Sequence, residues 1–157
     1  MAKSSQYTHY MQRIDANDNL GTIDIESHFT GLLYMSADGM YDVGASKNIY
    51  TEKYADSDRL RVALPPDGNN THEATKITMH FLVVGSDASR KNTIRNFQDY
   101  VMTGVHKYWD DARNLEFDFI VTDEIKASEE RWHGSQPYVE IAVTMQNLNG
   151  RTSVHGS

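Results

Sequence analysis

The chemical spacing that stands out first is Asp15-Ala16-Asn17-Asp18-Asn19-Leu20-Gly21-Thr22-Ile23-Asp24-Ile25-Glu26. It puts oxygen side chains at positions 1, 3, 5 and 12 of a calcium-binding loop. The sixth position, which needs glycine for its sharp turn, holds Leu20, and the residues that follow read as strand rather than helix. An Asx-rich turn leading into a strand accounts for the same residues. The histidines, His9, His28, His72, His80, His106, His133 and His155, are scattered, and no pair has HExxH spacing. His106 and Asp110 would share a helical face if a helix ran through them; on a hairpin His106 is an imidazole beside turn carboxylates. The run Trp132-His133-Gly134-Ser135 brings an imidazole and a hydroxyl together in sequence. Nucleophile and base are paired by geometry in space, however, not by adjacency, and no GxSxG elbow is present. Neither GxxxxGK[ST] nor GxGxxG occurs, and Gly31, Gly39 and Gly44 are dispersed like turn and bulge glycines. With no cysteine, thiolate nucleophiles, disulfides and cysteine-ligated metals are excluded. No catalytic residue, metal ligand or cofactor site is assigned on these grounds. Asn69-Asn70-Thr71 is a glycosylation sequon, which has meaning only in a secreted chain.

The aromatics Tyr108, Trp109, Trp132 and Tyr138 sit close to expected turns. Such residues pack sheet edges, and they also serve as sugar platforms or partner anchors.

The elements that position these groups belong to one domain. The chain has 157 residues and a formal net charge of −7, enough for one sizeable core and short for two. Hydrophobic residues at 39% exclude wholesale disorder. The apolar runs are far shorter than the roughly 20 residues of a membrane helix, and Met1–Gln6 carries no apolar leader-like run. The acidic balance argues against gripping nucleic acid through its phosphates.

Ile77, Met79, Phe81 and Val83 alternate with Thr78, His80, Leu82 and Val84, a strand stopped by Gly85-Ser86-Asp87. Asn92 can cap a helix that presents Ile94, Phe97 and Val101 on one face and ends at Gly104. Val105–Asn114 reads either as an extension of that helix or as a strand and turn; the dense turn chemistry of Asp110-Asp111-Ala112-Arg113-Asn114 favours a hairpin. Leu115–Val121 follows as a strand, Lys126–Gln136 as a loop, and Val139–Gln146 as a last alternating strand. Thr22–Met35 is β-rich before the Asp38-Gly39 turn; Val43–Tyr50 and Leu60–Leu64 are weaker strands, and Pro65–His72 is an internal loop. Polar arms are expected over 1–19 and 149–157, flanking a domain over 20–148. The fold class is α+β: a predominantly antiparallel β-sandwich or split barrel of about seven strands, with one helix packed against a sheet.

The order of Lys76–Val84, Ile94–Val101, Gly104–Asp110 and Tyr138–Leu148 is that of a core strand, one helix, a glycine stop, a hairpin and a last long strand. In this order, over roughly residues 20–148, the chain resembles structural proteins of tailed-bacteriophage tails. The tail-tube fold of tube subunits, and of the N-terminal domain of distal tail proteins, is the nearest likeness.

The resemblance implies a non-enzymatic virion subunit, assembled in the bacterial cytoplasm, that forms a homo-oligomeric ring, often a hexamer in such proteins, with other tail proteins as partners. Strands of neighbouring copies would join around a channel through which DNA passes without specific binding. Carboxylates lining such a channel would repel phosphates. Glu116, Asp118, Glu140 and Gln146, on the polar faces of the last strands, are the candidate channel residues, and a solvated sheet face is the plain reading of the same four. Trp109, Trp132 and Tyr138 are the candidate inter-subunit contacts. A tail terminator or connector ring protein fits the same features. A carbohydrate-binding β-sandwich would instead put Trp109 and Trp132 on one exposed platform, and a small metal-dependent enzyme would gather several histidines in one pocket.

Overall fold

Two periodicities dominate the middle of the chain and become its structural spine. Thr75–Val84 forms a strand whose Ile77, Met79, Phe81 and Val83 are buried on one side. Gln136–Asn147 buries Val139, Ile141, Val143, Met145 and Asn147 in the same way. The two strands pair antiparallel in unbroken register from Tyr138–Val84 to Asn147–Thr75. The computed structural model describes residues 7–15, 20–45, 50–53, 60–63 and 72–156.

In chain order the strands are β1 (His9–Arg13), β2 (Thr22–Asp24), β3 (Leu32–Asp38), β4 (Tyr50–Lys53), β5 (Leu60–Ala63), β6 (Thr75–Val84), β7 (His106–Asp110), β8 (Leu115–Ile120), β9 (Lys126–Ala127), β10 (Arg131–His133), β11 (Gln136–Asn147) and β12 (Ser153–Val154). The helices are α1 (Ile25–His28) and α2 (Asp87–Met102). One sheet runs β2-β1-β7-β8-β11-β6-β3, with β9 and β10 on β11 and β12 on β8; β4 and β5 pair only with each other. These strand pairings among the described residues are all antiparallel.

The fold is thus α+β and β-rich, as expected, but its main body is one rolled sheet rather than two facing ones. The roll is tight enough that His9, on β1, stacks on Tyr34, on β3 at the far end of the strand order, with ring centroids 3.9 Å apart. Strand twist of constant hand, accumulated over many strands, produces such curling. The inner face is filled by an aromatic cluster. Phe97 of α2 packs edge-on against Phe81 at 4.9 Å and Phe29 at 5.3 Å. Thr93 fixes the helix height by donating to the Thr30 carbonyl at 2.5 Å.

The helix begins earlier than Asn92. Ser86 is its cap, accepting from the Ser89 amide at 3.2 Å, and Asn92 lies inside it. Its end is as expected: Gly104 follows the Thr103 cap with φ +82°. The hairpin reading of 105–114 is the observed one, as β7 and β8 pair from His106–Phe119 to Trp109–Glu116.

The expected arms need correction. Within 1–19, His9–Arg13 is the interior strand β1, paired on both sides, and within 149–157, Ser153–Val154 is β12. Both add to the sheet because their backbone groups find ladder partners that a free arm would leave to water. The expected loop 126–136 contributes β9 and β10, which lie along the part of β11's edge that β8 does not reach. The loop 65–72 and the sequon lie outside the described residues, apart from His72, whose Nδ1 lies 3.0 Å from the Gly44 carbonyl.

Candidate assembly surface

Alternation along each strand sends one set of side chains into the roll and the other outward. Register aligns the outward set into a continuous band: Tyr10 beside Trp109, Trp109 beside Glu116, Lys107 beside Asp118, Ile120 beside Gln146, then Thr144 beside Thr78 and Glu140 beside Leu82. The four candidate channel residues, Glu116, Asp118, Glu140 and Gln146, all lie on this face. Two of them are balanced. Glu116 is 3.2 Å from Lys107 Nζ and 3.7 Å from His155 Nδ1, and Glu140 is 2.9 Å from Arg131. Partial burial works to raise the Glu116 carboxyl, but the Lys107 hydrogen bond and charge outweigh it and hold the group below the usual range. Lys76 meets Asp123 at 3.4 Å, and His80 meets Asp38 at 3.3 Å. The outward face is therefore a mosaic of matched charges, with Asp118 lacking an ion pair among the described residues.

The three aromatic candidates separate. Trp109 lies between Tyr10, with centroids 5.4 Å apart, and His155, 4.7 Å away and parallel within 7°. Both of its faces are covered by its own chain, so the two-tryptophan platform of a sugar-binding sandwich is not formed. Trp132, on the β10 hairpin, is 64% exposed. Tyr138 lines a groove of about 480 Å³ with Met35, Leu82, Val84, His133 and Glu140 among its walls. The hairpin under Trp132 turns through Gly134-Ser135, with Gly134 at φ +62°, the glycine position of a type II′ turn.

Among the described residues, the sheet margin beside this groove is open. Among the described strands β3 is terminal in the order and pairs only with β6. Its first half is closed on the outer side: the Leu32 amide donates to the Phe29 carbonyl at 3.0 Å, and the Tyr34 amide donates to the buried Glu26 carboxylate at 2.8 Å. An irregularity between Tyr34 and Ser36 then shifts the register, as a bulge does. Beyond it, no described strand pairs with the outer edge of Met35–Asp38. Antiparallel alternation makes Ala37, opposite Met79, the residue whose amide points outward, because Val84 and every second β6 residue from it face β3. Glu26, the last oxygen of the calcium-loop pattern, is thus occupied with a strand amide. Asp15 is held by Arg13 at 3.0 Å, which lowers its carboxyl, and Asp24 accepts from Ser27 at 3.0 Å. Residues 16–19 lie outside the described part.

Sequence reasoning missed a buried polar cluster behind this margin. Asp110 is fully buried and accepts from the Tyr108 hydroxyl at 2.9 Å, the Arg113 amide at 2.7 Å and the Arg113 guanidinium at 3.3 Å. Arg113 also donates to the Tyr34 hydroxyl at 3.1 Å. Because Tyr108 gives its proton to Asp110, its oxygen accepts from His9 Nδ1 at 2.9 Å. The proton then sits on Nδ1, and the buried Nε2 of His9 has no hydrogen-bond partner among the described residues. Burial lowers the pKa of His9, against the opposing pull of Asp110 and Glu26. Burial likewise pushes the Tyr108 hydroxyl well above its ordinary value. For Arg113, burial pulls downward, but the Tyr34 hydrogen bond and the nearby Asp110 carry the guanidinium above its usual value. The geometry of the cluster is that of a structural tie joining β1, β3 and β7. No sequence signal pointed to it, since its members are 99 and 79 residues apart. Among the described residues no group of three or more His, Asp or Glu is placed to hold a metal ion, and no helix is long and apolar enough to cross a membrane.

No family model matches the chain, and no curated protein matches it.

Proposed function

We propose that this chain is a non-enzymatic structural subunit of a phage or prophage tail, and that copies of it join side by side into a ring around a channel for DNA. The observation that carries the reading is the outer edge of Met35–Asp38 on β3, which no described strand covers, next to an apolar groove. An unpaired strand edge is a template for another strand, and a protein that stays single blunts it. The order of core strand, helix, hairpin and long strand supports the same class. The outward band is polar enough to face water in a lumen, and its matched charges give passing phosphates few free cations to hold. Trp132, free on its hairpin, and Tyr138, in the groove, remain the proposed contacts between copies; Trp109 is withdrawn from that role by its intramolecular stack.

The test is the oligomeric state across a range of concentrations, by mass photometry and negative-stain electron microscopy, for the wild type and Ala37→Pro. Proline at this position removes only an outward amide and leaves the β6 ladder intact. Annular particles that Ala37→Pro abolishes, with an unchanged circular dichroism spectrum, support the reading. A protein that is monomeric at every concentration, or rings that tolerate the proline, overturns it.

A further inference from the structure

Two strand edges among the described residues lack a neighbour, and they flank the same patch of sheet. Across the middle of β11 the order is β9-β11-β6-β3. β3 ends this row on one side; β9, which pairs only with β11 among the described strands, ends it on the other. One bond orients the β9 backbone: the Ser128 amide donates to the Glu140 carbonyl of β11 at 2.8 Å. Ser128 and Lys126 therefore turn their backbone groups toward β11, and Ala127 between them turns its amide and carbonyl outward. On β3 the outward residue is Ala37, opposite Met79. Each edge thus offers one free amide and one free carbonyl, both on an alanine. The edge side chains also differ in charge. Asp38 on β3 is 79% exposed and meets only His80. Lys126 on β9 is exposed and enters no ion pair among the described residues.

Resting on the reading that copies join side by side, we infer that the joint is Ser36–Asp38 of one copy against Lys126–Ser128 of the next, with Ala37 opposite Ala127 and Asp38 opposite Lys126. The directions agree: β3, β6, β11 and β9 alternate, so β9 of one copy laid on β3 of another continues the antiparallel series. In this register the two alanines exchange both backbone bonds. The faces agree as well. Asp38 lies beside Thr78 and Lys126 beside Ala142, all on the outward face. Sliding the pair by two residues, so that Ala37 meets Ile125, would put Asp38 opposite Glu124, and like charges directly opposite are unfavourable. The favoured register staggers successive copies by two residues along the strand, and a closed sheet requires such a stagger. A two-fold joint of β3 on β3 would set Asp38 beside Ser36 and leave Lys126 unmatched. Because the contact joins one edge to a different one, it repeats from copy to copy and closes into a ring.

The chain has no cysteine, so introduced thiols report the register without background. Residues opposite each other in a non-hydrogen-bonded antiparallel pair have Cα atoms about 4.5 Å apart, within disulfide reach. Asp38→Cys and Lys126→Cys are mixed as single variants, oxidised with diamide and run on non-reducing gels. The expected product is a covalent dimer from the mixture and from neither variant alone. Mass photometry then compares the wild type with three variants. Lys126→Asp should weaken each contact by roughly fivefold. Adding Asp38→Lys to it should restore assembly, and Ala127→Pro, which removes only an outward amide, should abolish it with an unchanged circular dichroism spectrum. Rings that tolerate Ala127→Pro, or that yield no mixed disulfide, overturn this joint while side-by-side assembly stands. Particles that stop at two copies overturn it too. A wild type that is monomeric at every concentration overturns both the joint and the reading beneath it.

Discussion

Replacing Asp110 with alanine tests whether the buried tie between β1, β3 and β7 holds the roll together. The carboxylate is fully buried and accepts three hydrogen bonds, two of them from Arg113 and one from Tyr108. Removing one member of a buried ion pair costs about 3–5 kcal/mol. The Arg113 side chain keeps 26% exposure, so water recovers part of that loss and the lower end applies. The Tyr108 hydroxyl, left without its acceptor in a site closed to water, adds about 1 kcal/mol. The expected total is roughly 3–4 kcal/mol. With a slope of about 2 kcal/mol/M for a domain of this size, the urea midpoint falls by roughly 1.5–2 M. The assay is equilibrium urea unfolding at pH 7, followed by circular dichroism and tryptophan emission. Asp111→Ala, at the exposed neighbour on the same turn, is the control and should stay within about 0.5 kcal/mol. Asp110→Asn keeps the shape and one acceptor and should fall between the two. A loss below about 1 kcal/mol for Asp110→Ala, or one no larger than the control's, refutes the reasoning.

Three further outcomes are expected. Burial depresses the His9 pKa, so the unfolded chain takes up a proton near pH 6.5 while the native chain resists it; stability is full above that pH and falls as pH drops through and below it. Thermal unfolding from pH 7.5 to 5 should show this slope, and His9→Phe, which can keep the stack on Tyr34, should flatten it. Gly31→Ala should cost more than about 2 kcal/mol in urea unfolding, because Gly31 has φ +85° and a Cβ would run into the Val84 carbonyl; Gly134→Ala, with φ +62° but open space around it, should cost about 1 kcal/mol. Phe97→Ala should lose about 3–5 kcal/mol by emptying the space between Phe81 and Phe29, seen as a lowered midpoint in the same assay.

What the sequence determined by itself is every element whose signal lies within a dozen residues. The alternations of Ile77–Val84 and Val139–Gln146, the Ile94-Phe97-Val101 face, the Gly104 stop and the turn after Asp110 state which side is apolar and where the chain reverses. Those are properties of one segment and its own neighbours. Strand β1 escaped because His9 and Arg13 make His9-Tyr10-Met11-Gln12-Arg13 look polar, and only the finished roll explains why His9 points inward. Strands β9, β10 and β12 escaped because two or three residues carry no periodicity; they exist because a neighbouring edge was left open. The four residues of the outward band could be named in advance from alternation. Their charge balance could not, because Lys107 meets Glu116 across a hairpin and His155 reaches the same carboxylate from the chain's end. Only the tertiary structure decided that Trp109 is covered, that Trp132 is exposed and that β3 is last among the described strands of the sheet, because pairing partners are chosen by contacts spanning tens of residues.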